Sequence, residues 1–242
     1  MYPVPWCDVL EIVPTDSGVT GLIVTGNVVD GNFEDNLCYK AWKLMAENYS
    51  IPPVKILLHK VIPSGAGLGG GSADAAFTLK MLNSMFRLAL PADELRHLAL
   101  QLGMDCPYFI DNVTSFSTAR GEILQPAVVN VAGYYLLLVK PRVHVSTADA
   151  FSGVIAANRD NMLTDFTSLP VLQWKEKVHN DFERTVFAKH PEIESLKNRM
   201  YDNGAVYASM SGSGSAVYGL FSAEPQADEY ADCEVFSVLL GR

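Results

Sequence analysis

The chain has 242 residues, 49% hydrophobic and 19% charged, with a formal net charge of −9. Such a composition supplies a sizeable core and excludes a disordered chain. The acidic balance excludes a general binder of nucleic acid or anionic membranes, which needs a basic face. It leaves open a small anion held by backbone amides at a helix N-terminus.

Cys7, Cys38, Cys106 and Cys233 are scattered, without a Cys-x-x-Cys pair or a histidine at zinc-ligand spacing. Free thiols, no metal centre and a reducing compartment are expected. No apolar run approaches the ~20 residues that span a bilayer. Val128 to Val139 comes nearest, and Asn130 and Gly133 interrupt it. A cytoplasmic protein is expected.

In chain order, CDVLEIVPT (7–15) and VTGLIVTGNVV (19–29) alternate as strands about an Asp16-Ser17-Gly18 turn. Residues 34–48 place Leu37, Ala41, Leu44 and Met45 at helical spacing after an acidic start. VKILLHKVI (54–62) is a strand. Residues 72–88 and 91–103 are helices, the second opened by Pro91 and closed by Gly103. MDCPYFI (104–110) reads as a turn into a strand, SFSTARGEILQPA as strand and loop, and YYLLLVKP (134–141) as a buried strand. HVSTADAFSGV (144–154) opens a helix capped by Ser146 or Thr147. NMLTDFTSLP is a loop with a short helix, and 175–190 and 191–203 are helices. AVYASMSGSGSAVYGLF (205–221) is strand, glycine turn, strand. The class is α+β.

The segment Pro63-Ser64-Gly65-Ala66-Gly67-Leu68-Gly69-Gly70-Gly71-Ser72-Ala73 follows a strand and opens a helix. Strand, glycines, helix is a phosphate-cradle pattern: glycine admits close approach of an anion, and the helix offers unpaired N–H groups. Ser72 could cap the helix or face a phosphate. Residues 65–70 satisfy Gly-x-Gly-x-x-Gly, a weak match alone, and no Gly-Lys-Ser/Thr follows. A flexible surface loop is the plain alternative.

Together with Met210-Ser211-Gly212-Ser213-Gly214-Ser215-Ala216, this segment resembles the second and third signatures of the GHMP small-molecule kinases. Gly103-Met104-Asp105-Cys106-Pro107, Ala119-Arg120-Gly121-Glu122, Val145-Ser146-Thr147-Ala148-Asp149-Ala150 and Asn180-Asp181-Phe182-Glu183 narrow the resemblance. They are similar to the branch that phosphorylates 4-diphosphocytidyl-2-C-methyl-D-erythritol on its 2-hydroxyl in non-mevalonate isoprenoid synthesis.

The resemblance implies a two-lobe α+β fold. Residues 1–133 would form a nucleotide-binding lobe like domain 2 of ribosomal protein S5, and 134–242 a ferredoxin-like, substrate-side lobe. It implies ATP with Mg²⁺, to which no ligand residue is assigned, and a small-molecule substrate. It implies phosphate contacts from residues 63–73, Asn36 and Lys60 near the adenine, and Asp105 as the catalytic carboxylate. Thr147, with Gly212, Ser213 and Gly214, would serve the substrate side. Read without it, Asp105 is a turn residue, Asn36 a helix cap, Lys60 a solvated strand residue and Asp74 a first-turn acid. Another GHMP kinase and a non-catalytic nucleotide-binding homologue remain as alternatives. Oligomeric state is not legible.

One family element is not found. The first signature, Lys-x-Asn-Leu followed by Asp-Gly-Tyr-His, has no counterpart, and no lysine precedes Lys40. The opening MYPVPWCDVLEIV resembles the stretch after that turn. An N-terminally incomplete chain, short of a first strand, is the expectation, with a natural degenerate homologue as the alternative; either would bind nucleotide with little or no kinase activity.

Overall fold

The computed structural model describes residues 1–28, 31–119, 121–154 and 169–241. Two compact units emerge, one from residues 1–64 and 69–127, the other from 65–68 and 128–242.

In the first unit, β1 (Val9–Pro14), β2 (Gly21–Gly26) and β3 (Val54–Lys60) form a sheet in the order β1-β3-β2. The β1–β3 pair is antiparallel and β2–β3 parallel. A parallel pair requires a crossover, and α1 (Leu37–Tyr49) lies in the β2–β3 connection. Period-two burial sends Val54, Ile56 and Leu58 to the core. They join Cys38, Ala41 and Met45 of α1 and Ala75, Leu79 and Leu82 of α2 (Gly70–Met85). The spacings of three and four residues lay one stripe of each helix on that core. Each fully buried Leu, Ile or Val contributes about 1.5–3 kcal/mol. Leu95, Leu98 and Ala99 of α3 (Ala92–Leu102) complete it.

Residues 104–110 do not turn into a strand. Cys106–Asp111 is a helix, α4, and Pro107 sits in its first turn. Proline fixes a helical φ there and lacks an N–H that would have no partner anyway. The apolar run Tyr108–Ile110 is too short for periodicity to separate helix from strand. β4 (Ser115–Thr118) and β5 (Ile123–Pro126) form a hairpin. Arg120, from the Ala119–Glu122 segment, lies outside the described residues.

The second unit carries an antiparallel sheet. β6 (Tyr135–Lys140), β7 (Ala205–Met210), β8 (Val217–Phe221) and β9 (Glu234–Leu239) stand in the order β7-β8-β6-β9. Short helix α5 (Thr147–Phe151) is capped by Ser146, whose hydroxyl accepts from the Asp149 amide at 3.0 Å. The helix expected over 175–190 is broken into α6 (Trp174–Lys177) and α7 (Glu183–Lys189). In the break the Asn180 side chain accepts from the Phe182 amide at 3.0 Å, a local bond that competes with helix continuation. Helix α8 (Pro191–Asp202) packs Ile193, Leu196 and Met200 into a core with Leu137, Val139, Ala208 and Phe221. The short helix expected within 161–170 falls chiefly on 161–168, outside the described residues. Among those described, no helix is long and apolar enough to cross a membrane.

Candidate active site

Helix α2 starts at Gly70, two residues before the expected start. Its cap is Gly69 at φ +71°, and Ser72 sits inside the first turn. The first amides of a helix have no intrahelical acceptor. Here the vacancy extends backward along the loop: among the described residues, no backbone N–H from Ser64 to Ser72 makes a hydrogen bond of ordinary geometry to the protein, and residues 64 and 65 form only a loose turn. Gly65, Gly67 and Gly69 take positive φ of +63°, +71° and +71°, alternating with ordinary residues. Where left-handed glycines alternate with right-handed residues, successive N–H groups can turn toward an anion.

The glycines are also a steric necessity. A Cβ on Gly67 would stand 2.1 Å from the Ser211 carbonyl oxygen, and one on Gly69 2.9 Å from Cζ of Phe109. Pro63 and Ala66 are buried, Ser64, Gly65 and Gly71 are exposed, and Leu68 and Ala73 are half-buried.

Within the second unit, residues 65–68 rest on the turn after β7. The Ser211 hydroxyl donates to the Gly67 carbonyl at 2.8 Å, and the Ala216 amide to the Ala66 carbonyl at 3.1 Å. Gly212 and Gly214 take φ of +53° and +87°. The turn is held in place by the Asn180 to Glu183 segment. The Asn180 amide donates to the carbonyls of Met210 (2.8 Å) and Gly212 (2.7 Å). Buried Glu183 accepts from the Met210 amide (2.8 Å), the Ser209 hydroxyl (3.1 Å) and Lys197 (2.6 Å). The two glycine signatures therefore meet as backbone, while Ser213 is half-buried beside them.

In the first unit Lys60 is no solvated strand residue. At 4% exposure its ammonium pairs with Asp8 and, at 2.7 Å, with Asp74. Burial depresses the Lys60 pKa, but Asp74 and Asp8 outweigh it and leave it raised. Burial lifts Asp74 from 3.8 to about 6, only partly offset by Lys60. The other oxygen of Asp8 accepts the amides of Val61 (2.6 Å) and Ile62 (2.8 Å). Asn36 caps α1, its side chain accepting from the Cys38 amide at 2.9 Å.

Asp105 precedes α4, exposed and in the αR region, and makes no cap bond. Among the described residues no hydrogen bond or ion pair is made by its carboxylate. The Cys106 thiol beside it is pushed up by burial, eased by a bond with Ser72. Thr147 opens α5 and is exposed. Sequence reasoning did not single out Asp8, nor the roles of Ser211, Asn180 and Glu183. Only the last three stand in recognised signatures; nothing local marks Asp8.

The GHMP kinases N terminal domain matches residues 36–113, and the GHMP kinases C terminal domain residues 171–233. A 4-diphosphocytidyl-2-C-methyl-D-erythritol kinase of Parabacteroides distasonis is 48% identical over 235 residues, 96% of this chain and 86% of the relative. The same-named protein of Cytophaga hutchinsonii is 44% identical over 226 residues, 93% of this chain and 83% of its own length. A crystal structure of a 4-(cytidine 5'-diphospho)-2C-methyl-D-erythritol kinase superposes with TM-score 0.79 at 29% identity, covering 95% of this chain and 84% of that one. The homoserine kinase of Cytophaga hutchinsonii, at TM-score 0.66 and 15% identity over 95% and 85% of the two chains, shares the fold. With loop, helix start and both domains in agreement, the chain belongs to the GHMP kinase family and is a small-molecule kinase of that fold.

Proposed function

We propose that this chain transfers the γ-phosphoryl group of ATP to the 2-hydroxyl of 4-diphosphocytidyl-2-C-methyl-D-erythritol. This places it in non-mevalonate isoprenoid synthesis in the cytoplasm. The observation that carries the reading is the run of unpartnered amides from Ser64 to Ser72, in a chain 48% identical to a relative of that name.

In this reading the amides of Ser64 to Ser72, with the N-terminus of α2, receive the β- and γ-phosphates. Glycine at 65, 67 and 69 keeps side chains out of the cradle. Asn36 and the end of β3 at Lys60 serve the adenine side, and Pro63 and Ala73 bound the loop. Asp105 takes or orients the proton of the acceptor hydroxyl as its oxygen attacks phosphorus; the O–P bond to the leaving ADP breaks. Thr147 contacts the substrate, and Gly212, Ser213 and Gly214 support it. We read residues 1–133 as the nucleotide lobe and 134–242 as the substrate-side lobe.

Mg²⁺ would neutralise charge on the β- and γ-phosphates. Among the described residues no three His, Cys, Asp or Glu side chains gather into a metal site. A nucleotide-borne Mg²⁺ asks for only one or two carboxylates, and the exposed Asp105 carboxylate suits it.

The test is ADP release with ³¹P NMR detection of a new phosphomonoester, using the 242-residue chain, ATP, Mg²⁺ and the cytidylylated substrate. Weak substrate-dependent ADP release, lost in Asp105→Asn, is the expected result for a chain without the Lys-x-Asn-Leu signature. Preference for homoserine or mevalonate would move the chain to another branch of the family. Failure to bind an ATP analogue would defeat the reading.

A further inference from the structure

We propose that Lys60, gripped by Asp8 and Asp74, is a positioning residue that pins both ends of the glycine loop and thereby sets its affinity for a nucleoside triphosphate. The inference rests on the kinase reading but concerns the Lys60 ammonium, which faces Asp8 and Asp74, and not the backbone at the end of β3 that the reading assigns to the adenine side.

The loop leaves β3 after Lys60 and re-enters regular structure at Gly70, the first residue of α2. At the exit from β3, one oxygen of Asp8 takes the amides of Val61 at 2.6 Å and Ile62 at 2.8 Å. Its other oxygen takes the Lys60 ammonium. That ammonium also donates to Asp74, in the second turn of α2, at 2.7 Å. A Cβ built on Gly70 would lie 3.5 Å from the Lys60 nitrogen, so the charge lies against the first residue of the helix. One buried cation thus ties the segment before β1, the end of β3 and the start of α2 together.

The environment makes this tie rigid. Lys60 is 4% exposed and Asp74 7%, so the bonds operate away from water. Removing the cation would leave two buried carboxylates facing each other, an arrangement folded proteins avoid. The loop ends would then separate, and the amides of Ser64 to Ser72 would lose their shared aim.

The arrangement also has a charge signature. Ionised, the trio carries net −1 behind amides that receive phosphate; with Asp74 protonated it carries zero. Lys60 and Asp8 are the charged groups facing Asp74. Cys38 of α1 also faces it, with a thiol pushed up to about 12 and so neutral in the working range. Burial pushes Asp74 itself up to about 6. A bound triphosphate favours the neutral trio, so binding takes up a proton.

The experiment measures the Kd of a fluorescent ATP analogue between pH 5.5 and 8 on the full chain, wild type against Asp74→Asn and Lys60→Met. Asp74→Asn keeps the shape and an acceptor for Lys60 but cannot titrate. Both proteins share the analogue's own ionisation, which cancels in the comparison. Across the range wild-type Kd is expected to rise about fivefold more than that of Asp74→Asn. Lys60→Met is expected to weaken binding about tenfold or more at every pH. Should Lys60→Met not fold, the Asp74→Asn comparison decides alone. Parallel pH profiles for wild type and Asp74→Asn, or a folded Lys60→Met that binds as wild type, would overturn the inference and leave the kinase reading standing. A wild-type chain that binds no analogue overturns both.

Discussion

Two glycines with nearly the same backbone allow the steric role of the loop to be isolated. Gly18, in the β1–β2 turn, has φ +72° and nothing within 4 Å of a built Cβ. Gly67 has φ +71°, and its Cβ would meet the Ser211 carbonyl oxygen at 2.1 Å and backbone atoms of Gly214 at 3.0 Å. Alanine at either site pays the left-handed cost of roughly 1–2 kcal/mol. At Gly67 the obstacle is backbone and cannot swing aside, so the loop must move. Moving it breaks the Ser211 hydroxyl bond to Gly67 and the Ala216 amide bond to Ala66. Those bonds are worth about 0.5–1.5 kcal/mol each, for a total of about 2–5 kcal/mol. Urea denaturation of Gly18→Ala and Gly67→Ala, with titration of a fluorescent ATP analogue, reads both effects. Gly18→Ala should lose the smaller amount and bind as wild type. Gly67→Ala should lose more and bind at least about tenfold more weakly, since each 1.4 kcal/mol is tenfold. Equal stability losses with unchanged binding by Gly67→Ala would refute the reasoning.

Asn180→Ala removes two donations to the Met210 and Gly212 carbonyls. It should cost about 1–3 kcal/mol and weaken the ATP analogue. Asn180→Asp, which sets a carboxylate against both carbonyls, should do worse, and unaltered binding by both variants would count against that role. Asp74 makes stability pH-dependent with a definite sign. Its folded pKa, about 6, exceeds the ordinary 3.8, so its contribution is complete below about pH 4 and is lost as pH rises through about 6. The shift corresponds to roughly 3 kcal/mol. Asp74→Asn should lack that fall, and urea midpoints at pH 4.5 and 7.5 that change alike in both proteins would disprove it.

Elements with a strong period or a hard stop were legible in the sequence. Helix α1 and the alternation of β3 needed only local rules, although of the expected stripe Ala41 and Met45 are buried, Leu37 and Leu44 half-buried, and the buried Cys38 was not foreseen. α4 misled because three apolar residues fit either period. The helix over 175–190 misled because the bonds of Asn180 to distant carbonyls are tertiary and leave no trace in spacing. β9 passed unremarked, since its strand character comes from pairing with β6, a partner far away in sequence. Of the candidate site, the glycine loop was legible because few residue types can adopt its backbone. Asp8 was not: its chemistry depends on lying beside Lys60, 52 residues away. Asp74 looked like an ordinary first-turn acid until its burial was known.

A chain of net charge −9 is an unexpected home for a polyanionic ligand, and the loop shows how the two are reconciled. Charges on the surface act across solvent and are damped within a Debye length of ~8 Å. Amides act at contact, and a hydrogen bond from one to a charged oxygen is worth about 1.5–3 kcal/mol. A handful of aligned N–H groups therefore outweighs a diffuse repulsion from distant carboxylates. Asp8 and Asp74 are a carboxylate pair that screening cannot reach, and the fold sets Lys60 between them. Lysine at that point cancels a charge and joins the loop ends in one step, whereas an apolar residue of similar volume would do neither. The requirement on position 60 is thus electrostatic and geometric together. Arginine would meet the first demand and, with its larger planar head, strain the second.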